Sequence, residues 1–261
     1  FVIFLYNLVN IRLLDSFNLA FTVISSGGFI SANNLFNITT NNLQILVLSF
    51  TLLFPIFNFY LLFKIFTRQL KINDHREDLH LGILIIFLTL IFYFFIIPNE
   101  GIFSVFLSIT SSISTSGISI HSSNFDISLF FILLTIIGGS LLSTSSGLKY
   151  VRFYILLKIS YQEIYRLVKP INIFNRNLFN SDVKINEEDS KIAFLIFISF
   201  IIAVFVLSSI LTLDNLSFEH SFKLSILTLT NTATSTLYGM DNFNFFDLSF
   251  FTKISLIFFM I

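Results

Sequence analysis

Apolar residues in this chain come in blocks of two lengths, parted by short polar breaks. Residues 43–66, 79–97 and 192–213 each run for about the 20 residues that cross a bilayer core as a helix. Residues 19–24, 101–113 and 217–229 are too short to cross, and each runs into a turn of small and polar residues. The turns are Ser25-Ser26-Gly27-Gly28-Phe29, Ser114-Thr115-Ser116-Gly117-Ile118 and Asn231-Thr232-Ala233. After each turn and a loop an apolar run resumes: 43–66, then 129–137, then 246–261. Residues 1–9 read as the tail of a further spanning helix. Asp15-Ser16-Phe17-Asn18 offers caps for the first short helix, Pro98-Asn99-Glu100-Gly101 breaks the chain before the second, and Asp214-Asn215 before the third. Pro55 lies inside an apolar run and predicts a kink there. Spanning helix, short helix, polar turn and spanning helix therefore follow one another three times, which divides the chain into units 1–66, 67–170 and 171–261. The chain opens on Phe1 and ends inside an apolar run. It reads as a piece truncated at both ends, with at least one more unit upstream.

Composition turns this pattern into a fold class. The chain of 261 residues is 55% hydrophobic and 11% charged, against about 25% charged in soluble domains, and its mean hydropathy is +0.87. A water-soluble globule is excluded. The expectation is an all-α polytopic membrane protein built of repeated helix–pore-loop–helix units around a central ion pore. With no cysteine, disulfides and thiolate metal sites are excluded too.

Formal charge sums to zero but is divided unevenly. Of 15 basic residues, 12 lie in segments 64–80 (Lys64, Arg68, Lys71, Arg76) and 149–191 (Lys149, Arg152, Lys158, Arg166, Lys169, Arg176, Lys184, Lys191). The positive-inside rule puts these in the cytoplasm, so the three turns enter from the outside of a cell inner membrane. The outer segments carry Asp15, Glu100, Asp126, Asp214, Glu219, Asp241 and Asp247 against Arg12, Lys223 and Lys253, an acidic vestibule that would concentrate cations. The run Asn186-Glu187-Glu188-Asp189 reads as a solvated loop.

A polar turn at membrane depth leaves main-chain carbonyls unpaired, which is tolerated where they line a cavity. Rings of such carbonyls replace an ion's hydration shell in cation filters. One turn alone reads equally well as a helix connection, because Gly and Ser also serve helix packing. Three at recurring positions argue for a pore. A second polar break, Gly138-Gly139-Ser140 followed by Ser143-Thr144-Ser145-Ser146-Gly147, interrupts the run from 129, and it reads as a flexible gate or as a packing kink. Lys149 and Arg152 beyond it are interfacial anchors or ion-site residues. His75, His80, His121 and His220 do not converge on a metal site. No nucleotide-binding glycine pattern, catalytic triad or nucleic-acid patch is present. A membrane-embedded transferase would need ionisable groups inside the apolar runs, which hold almost none; the expectation is a transporter, not an enzyme, without a cofactor.

These landmarks resemble, in order, those of the Trk/Ktr/HKT potassium transporter superfamily, and its TrkH-type pore subunits in particular. Phe21-Thr22-Val23-Ile24-Ser25-Ser26-Gly27-Gly28-Phe29 resembles that family's second filter loop, Ser114-Thr115-Ser116-Gly117-Ile118 its third, and Thr228-Leu229-Thr230-Asn231-Thr232-Ala233 its fourth. The segment from Gly138 to Lys149 is similar to its intramembrane gate, and Val168-Lys169-Pro170 fits the close of the run that follows. The resemblance implies potassium uptake, with the ion as substrate, through carbonyls at Ser25, Ser26, Gly27, Thr115, Ser116, Gly117, Asn231 and Thr232. It implies a gate loop of Gly138, Gly139, Ser140, Ser143, Thr144, Gly147 and Lys149. It also implies a homodimer in membrane lipid with a cytoplasmic nucleotide-binding regulatory ring, and no nucleic acid. Two positions depart from the family pattern: Ala233 stands for the fourth loop's glycine, and Ile118 for an aromatic. The family's first filter loop has no counterpart here. A sodium-permeable or other secondary cation transporter, or a gene remnant without function, are the alternatives.

Overall fold

Every regular element of the described residues is helical. The computed structural model describes residues 1–31, 35–68, 75–97, 100–119, 127–169, 177–180, 184–214, 216–240, 243 and 245–260. Several residues named above lie outside these, namely Lys71, Pro98, Asn99, His121, Asp126, Pro170, Arg176, Asn215 and Asp241. Residues 1–66 hold α1 (Val2–Leu8), α2 (Leu13–Ser25), α3 (Asn42–Thr51), α4 (Leu53–Ile56) and α5 (Phe59–Phe66). After them come α6 (Arg76–Ile91, continued by a π-turn at Phe92–Ile96), α7 (Ile102–Ile113), α8 (Ser128–Ile137) and α9 (Tyr150–Val168). The chain closes with α10 (Glu187–Thr212), α11 (Phe218–Leu229) and α12 (Phe250–Met260).

Among the described residues two helices, Arg76–Ile96 and Glu187–Thr212, are long and apolar enough to cross a membrane. The expected third span, 43–66, is not one straight helix. It runs as Asn42–Ile56, then turns by 110° into Phe59–Ile65. Pro55 lacks an N–H and fixes its own φ, but the break falls just after it. There Phe57 is extended, and the side chain of Asn58 caps α5 by accepting the Tyr60 N–H at 2.9 Å. Other boundaries differ as well. The first short helix begins at Leu13, so Asp15 sits in its first turn instead of capping it. The acidic run 186–189 is no loop: Asn186 and Asp189 form a capping box, with Glu187, Glu188 and Asp189 in the first turn of α10, where negative charge meets the helix's positive end. Much of the basic segment 149–191 is the long helix α9, which packs on α10 and α6.

Of three apolar clusters among the described residues, α7 lies between the two larger ones, the third joining Ile155, Ile185 and Ala193. One of the larger two gathers Tyr6, Leu19, Val23 and Leu48 from α1 to α3 with Leu107 of α7. The other gathers Ile85, Phe92, Ile109, Phe131, Leu207, Leu211 and Leu227. Serines and threonines inside α7 satisfy their hydroxyls on their own helix: Ser108 donates to Ser104 O at 3.0 Å, Thr110 to Phe106 O at 2.9 Å and Ser112 to Ser108 O at 2.8 Å. That lets a polar-looking helix lie buried among apolar neighbours, at the centre of the fold. The outer flanks are apolar, with Phe87, Phe94, Phe194, Leu195 and Phe205 exposed, as a lipid-facing surface requires.

Candidate functional site

Three helix ends build the site. Where α2, α7 and α11 stop, one residue of each takes a left-handed backbone: Ser26 (φ 55°), Thr115 (φ 59°) and Asn231 (φ 47°). The N–H of the next residue reaches back five positions: Gly27 to Thr22 O at 3.0 Å, Ser116 to Ser111 O at 3.1 Å, Thr232 to Leu227 O at 2.8 Å. This is a Schellman-type closure, made three times with residues that pay about 1–3 kcal/mol each for the positive φ. It aligns the turns as Ser26-Gly27-Gly28, Thr115-Ser116-Gly117 and Asn231-Thr232-Ala233. The register read from sequence is therefore shifted by one residue in the first turn. Gly28 (φ +73°), not Gly27, stands where Gly117 (φ +72°) stands, and Ser25 is the last residue of α2, its hydroxyl donating to Phe21 O at 2.8 Å. Ala233 does not take a positive φ, so the third turn leaves the common path at that point.

The turns meet. A β-carbon added to Gly28 would strike the Ser116 carbonyl oxygen and stand 2.5 Å from the Ala233 methyl; one added to Gly117 would strike the Ala233 carbonyl oxygen and stand 3.2 Å from Thr232 Cγ2. Glycine is required at both places by the φ and by the approach of another backbone. Hydroxyls behind the turns tie them in place. Ser116 bonds to Ser111 at 3.2 Å and Ser114 at 3.0 Å, Thr230 to Thr232 at 2.8 Å, and Ser119 of the second turn's exit to Thr236 of the third's at 2.7 Å. Thr22 donates to Phe29 O. Ser114, Thr115, Ser116 and Thr232 are buried, the Asn231 side chain is exposed, and the buried Ser26 hydroxyl has no protein partner. The hydroxyls of Ser114, Ser116, Thr230 and Thr232 are engaged with one another and with the main chain, while that of Ser26 is not. Three helices end, each with about half a unit of partial negative charge at its C-terminus, at turns that meet.

Under the turns lies the second polar break. Helix α8 ends at Gly138, and 138–149 returns to α9 as a loop laid against the break between α4 and α5. Ser140 N–H donates to Ile56 O at 2.8 Å, Ser145 N–H to Pro55 O at 3.1 Å, and Phe59 N–H to Leu142 O at 3.0 Å. The carbonyls freed where α4 stops are thus taken by the loop. A β-carbon on Gly139 would lie 2.5 Å from Ile56 O and from Ser145 Oγ. The Lys149 ammonium folds back on the loop and donates to Ser143 O at 3.0 Å, Ser143 Oγ at 3.1 Å and Ser145 O. The loop also touches the turns. Ser146 N–H donates to Thr115 Oγ1 at 3.0 Å, and Thr144 Oγ1 to Ile24 O at 3.1 Å.

Two acids absent from the sequence reading complete the arrangement. Glu77 Oε1 accepts the Leu141 N–H at 2.8 Å, and Asp78 Oδ1 accepts the Asn58 N–H at 2.8 Å. Consecutive acids opening an apolar span were the only available signal, and they equally serve a helix N-terminus. Among the described histidines, His75 lies 3.3 Å from Asp78, His80 lies tilted against Phe179 and His220 lies near Phe243. No cluster of metal-ligating side chains occurs among the described residues. Of the charges expected outside, Lys223 is buried and paired with Glu219 at 2.6 Å.

No family model matches the chain, and no curated protein matches it. Among solved structures it is similar to the potassium transporter TrkH from Vibrio parahaemolyticus, with a TM-score of 0.86 and 18% identity over 99% of this chain. The match covers 57% of that transporter's chain, so the present sequence spans just over half its length. The likeness is one of fold: an all-helical membrane transporter architecture.

Proposed function

We propose that this chain carries potassium across the inner membrane through the carbonyls of its three converging turns, with loop 138–149 as the gate. The observation that carries the reading is the meeting of the turns, with the Ser116 and Ala233 carbonyls brought against Gly28 and Gly117 at the ends of three helices. Such a place favours a cation and offers it main-chain oxygens in exchange for water. The ligand residues of this reading are Ser26-Gly27-Gly28, Thr115-Ser116-Gly117 and Asn231-Thr232, with Ser25 supporting the first from behind. Gly138, Gly139, Ser140, Ser143, Thr144, Gly147 and Lys149 form the gate. The similar fold of a potassium transporter supports potassium as the cargo. Units 1–66, 67–170 and 171–261 are the repeats, their turns entering from outside. The protein works as a homodimer in lipid, with a nucleotide-binding ring docked on the basic segments. The test is Rb⁺ uptake by proteoliposomes holding the protein, with growth of a potassium-uptake-deficient bacterium at low potassium. Uptake that potassium inhibits and sodium does not is expected. Equal inhibition by sodium would replace potassium with sodium as cargo, and no uptake of either would end the reading.

A further inference from the structure

The gate loop is held from two sides. Toward the turns it places the Ser146 N–H on Thr115 and the Thr144 hydroxyl on Ile24. Away from them it is bonded to the α4–α5 break through main-chain groups, and to α6 through Glu77. The Leu141 N–H that Glu77 accepts has left α8 and has no helical acceptor of its own. A carboxylate is the strongest acceptor the chain can offer it. Asp78, the next residue, does the same for Asn58 on the other side of the seam. One turn of one helix therefore grips both broken elements, and those elements are bonded to each other. Glu77 also lies within electrostatic reach of the Lys149 ammonium, which the same loop folds around.

We propose that Glu77 is a positioning residue for the gate: its carboxylate seats the loop beneath the turns and so sets how often the pathway is blocked. This rests on the reading of the turns as a cation pathway. A purely structural acid, serving only the positive end of α6, would alter melting and leave flux per folded molecule alone.

Rb⁺ uptake by the full-length protein in proteoliposomes, followed across Rb⁺ concentrations, separates the two. In Glu77→Ala the maximal rate is expected to rise by about tenfold, the size of one charge-assisted hydrogen bond. Half-saturating Rb⁺ and the preference for Rb⁺ over Na⁺ stay as they are. Glu77→Gln, which keeps an acceptor oxygen without charge, falls between. Leu141→Pro removes the same bond from its donor side, and combined with Glu77→Ala it adds nothing further. If Glu77→Ala does not reach the membrane folded, Glu77→Gln decides by the same criteria. Unchanged rates in a variant that only melts lower, or additive effects of the two substitutions, overturn the inference while the transport reading stands. No Rb⁺ uptake by the unmodified protein overturns both together.

Discussion

Gly117 shows what a single atom decides at the turns. A methyl added there meets the Ala233 carbonyl and forces an L-residue to hold φ +72°, a cost of about 1–3 kcal/mol before any clash is counted. Gly117→Ala is expected to abolish Rb⁺ uptake or erase its preference over Na⁺, while the protein still extracts as a folded species. Ala233→Gly, at a position that does not take a positive φ, should keep both; loss of preference in that variant alone would contradict the ring geometry. The residue scale is also where sequence reading slipped. Ser25-Ser26-Gly27-Gly28 offers two serines and two glycines, so the string fits in two registers. The register is settled by which residue ends α2, a matter of packing that no local pattern encodes. The second and third turns offered no such ambiguity and were aligned from their residues.

At the scale of elements, helix breaks organise the proposed gate loop. The proline at 55 was legible as a kink, and Gly138-Gly139 as a break. That the two breaks bond to each other was not, because the donors and acceptors are main-chain groups distant in sequence. Helix α9 was hidden for a different reason: its charged and aromatic residues read as a polar segment, although they are spaced for a helix with one half-buried face. Gly139→Val puts bulk against Ile56 O and Ser145 Oγ. It is expected to change the rate of Rb⁺ uptake at least severalfold, consistent with overpacking costs of about 1–3 kcal/mol, and to leave the Rb⁺/Na⁺ ranking unchanged. An altered ranking with an unaltered rate would detach this loop from gating.

For the molecule as a whole, hydropathy made the class legible without any structure, and charge predicts an orientation. Two spans and a broken third were recoverable from length and composition, and the order of the turns from their spacing. The positive-inside rule predicts the orientation, and the absence of cysteine makes it easy to check. A thiol introduced at exposed Tyr161 on α9 (Tyr161→Cys) should react with a membrane-impermeant maleimide only from the cytoplasmic side of sealed vesicles. A thiol at exposed Phe29 (Phe29→Cys) should react only from the other. Reversed labelling would invert the topology and set the turns in the cytoplasm.

The Schellman closures carry one more consequence. If the acceptors at the turns are those of the main chain, as proposed, their chemistry is written in where three helices stop, more than in which side chains line them. Side-chain substitutions away from the glycines leave those stopping points alone. A single residue inserted into α2, α7 or α11 would rotate the helix end by about 100° and advance it by about 1.5 Å, carrying a whole set of carbonyls out of the ring. The site is tolerant in its alphabet and strict in its length.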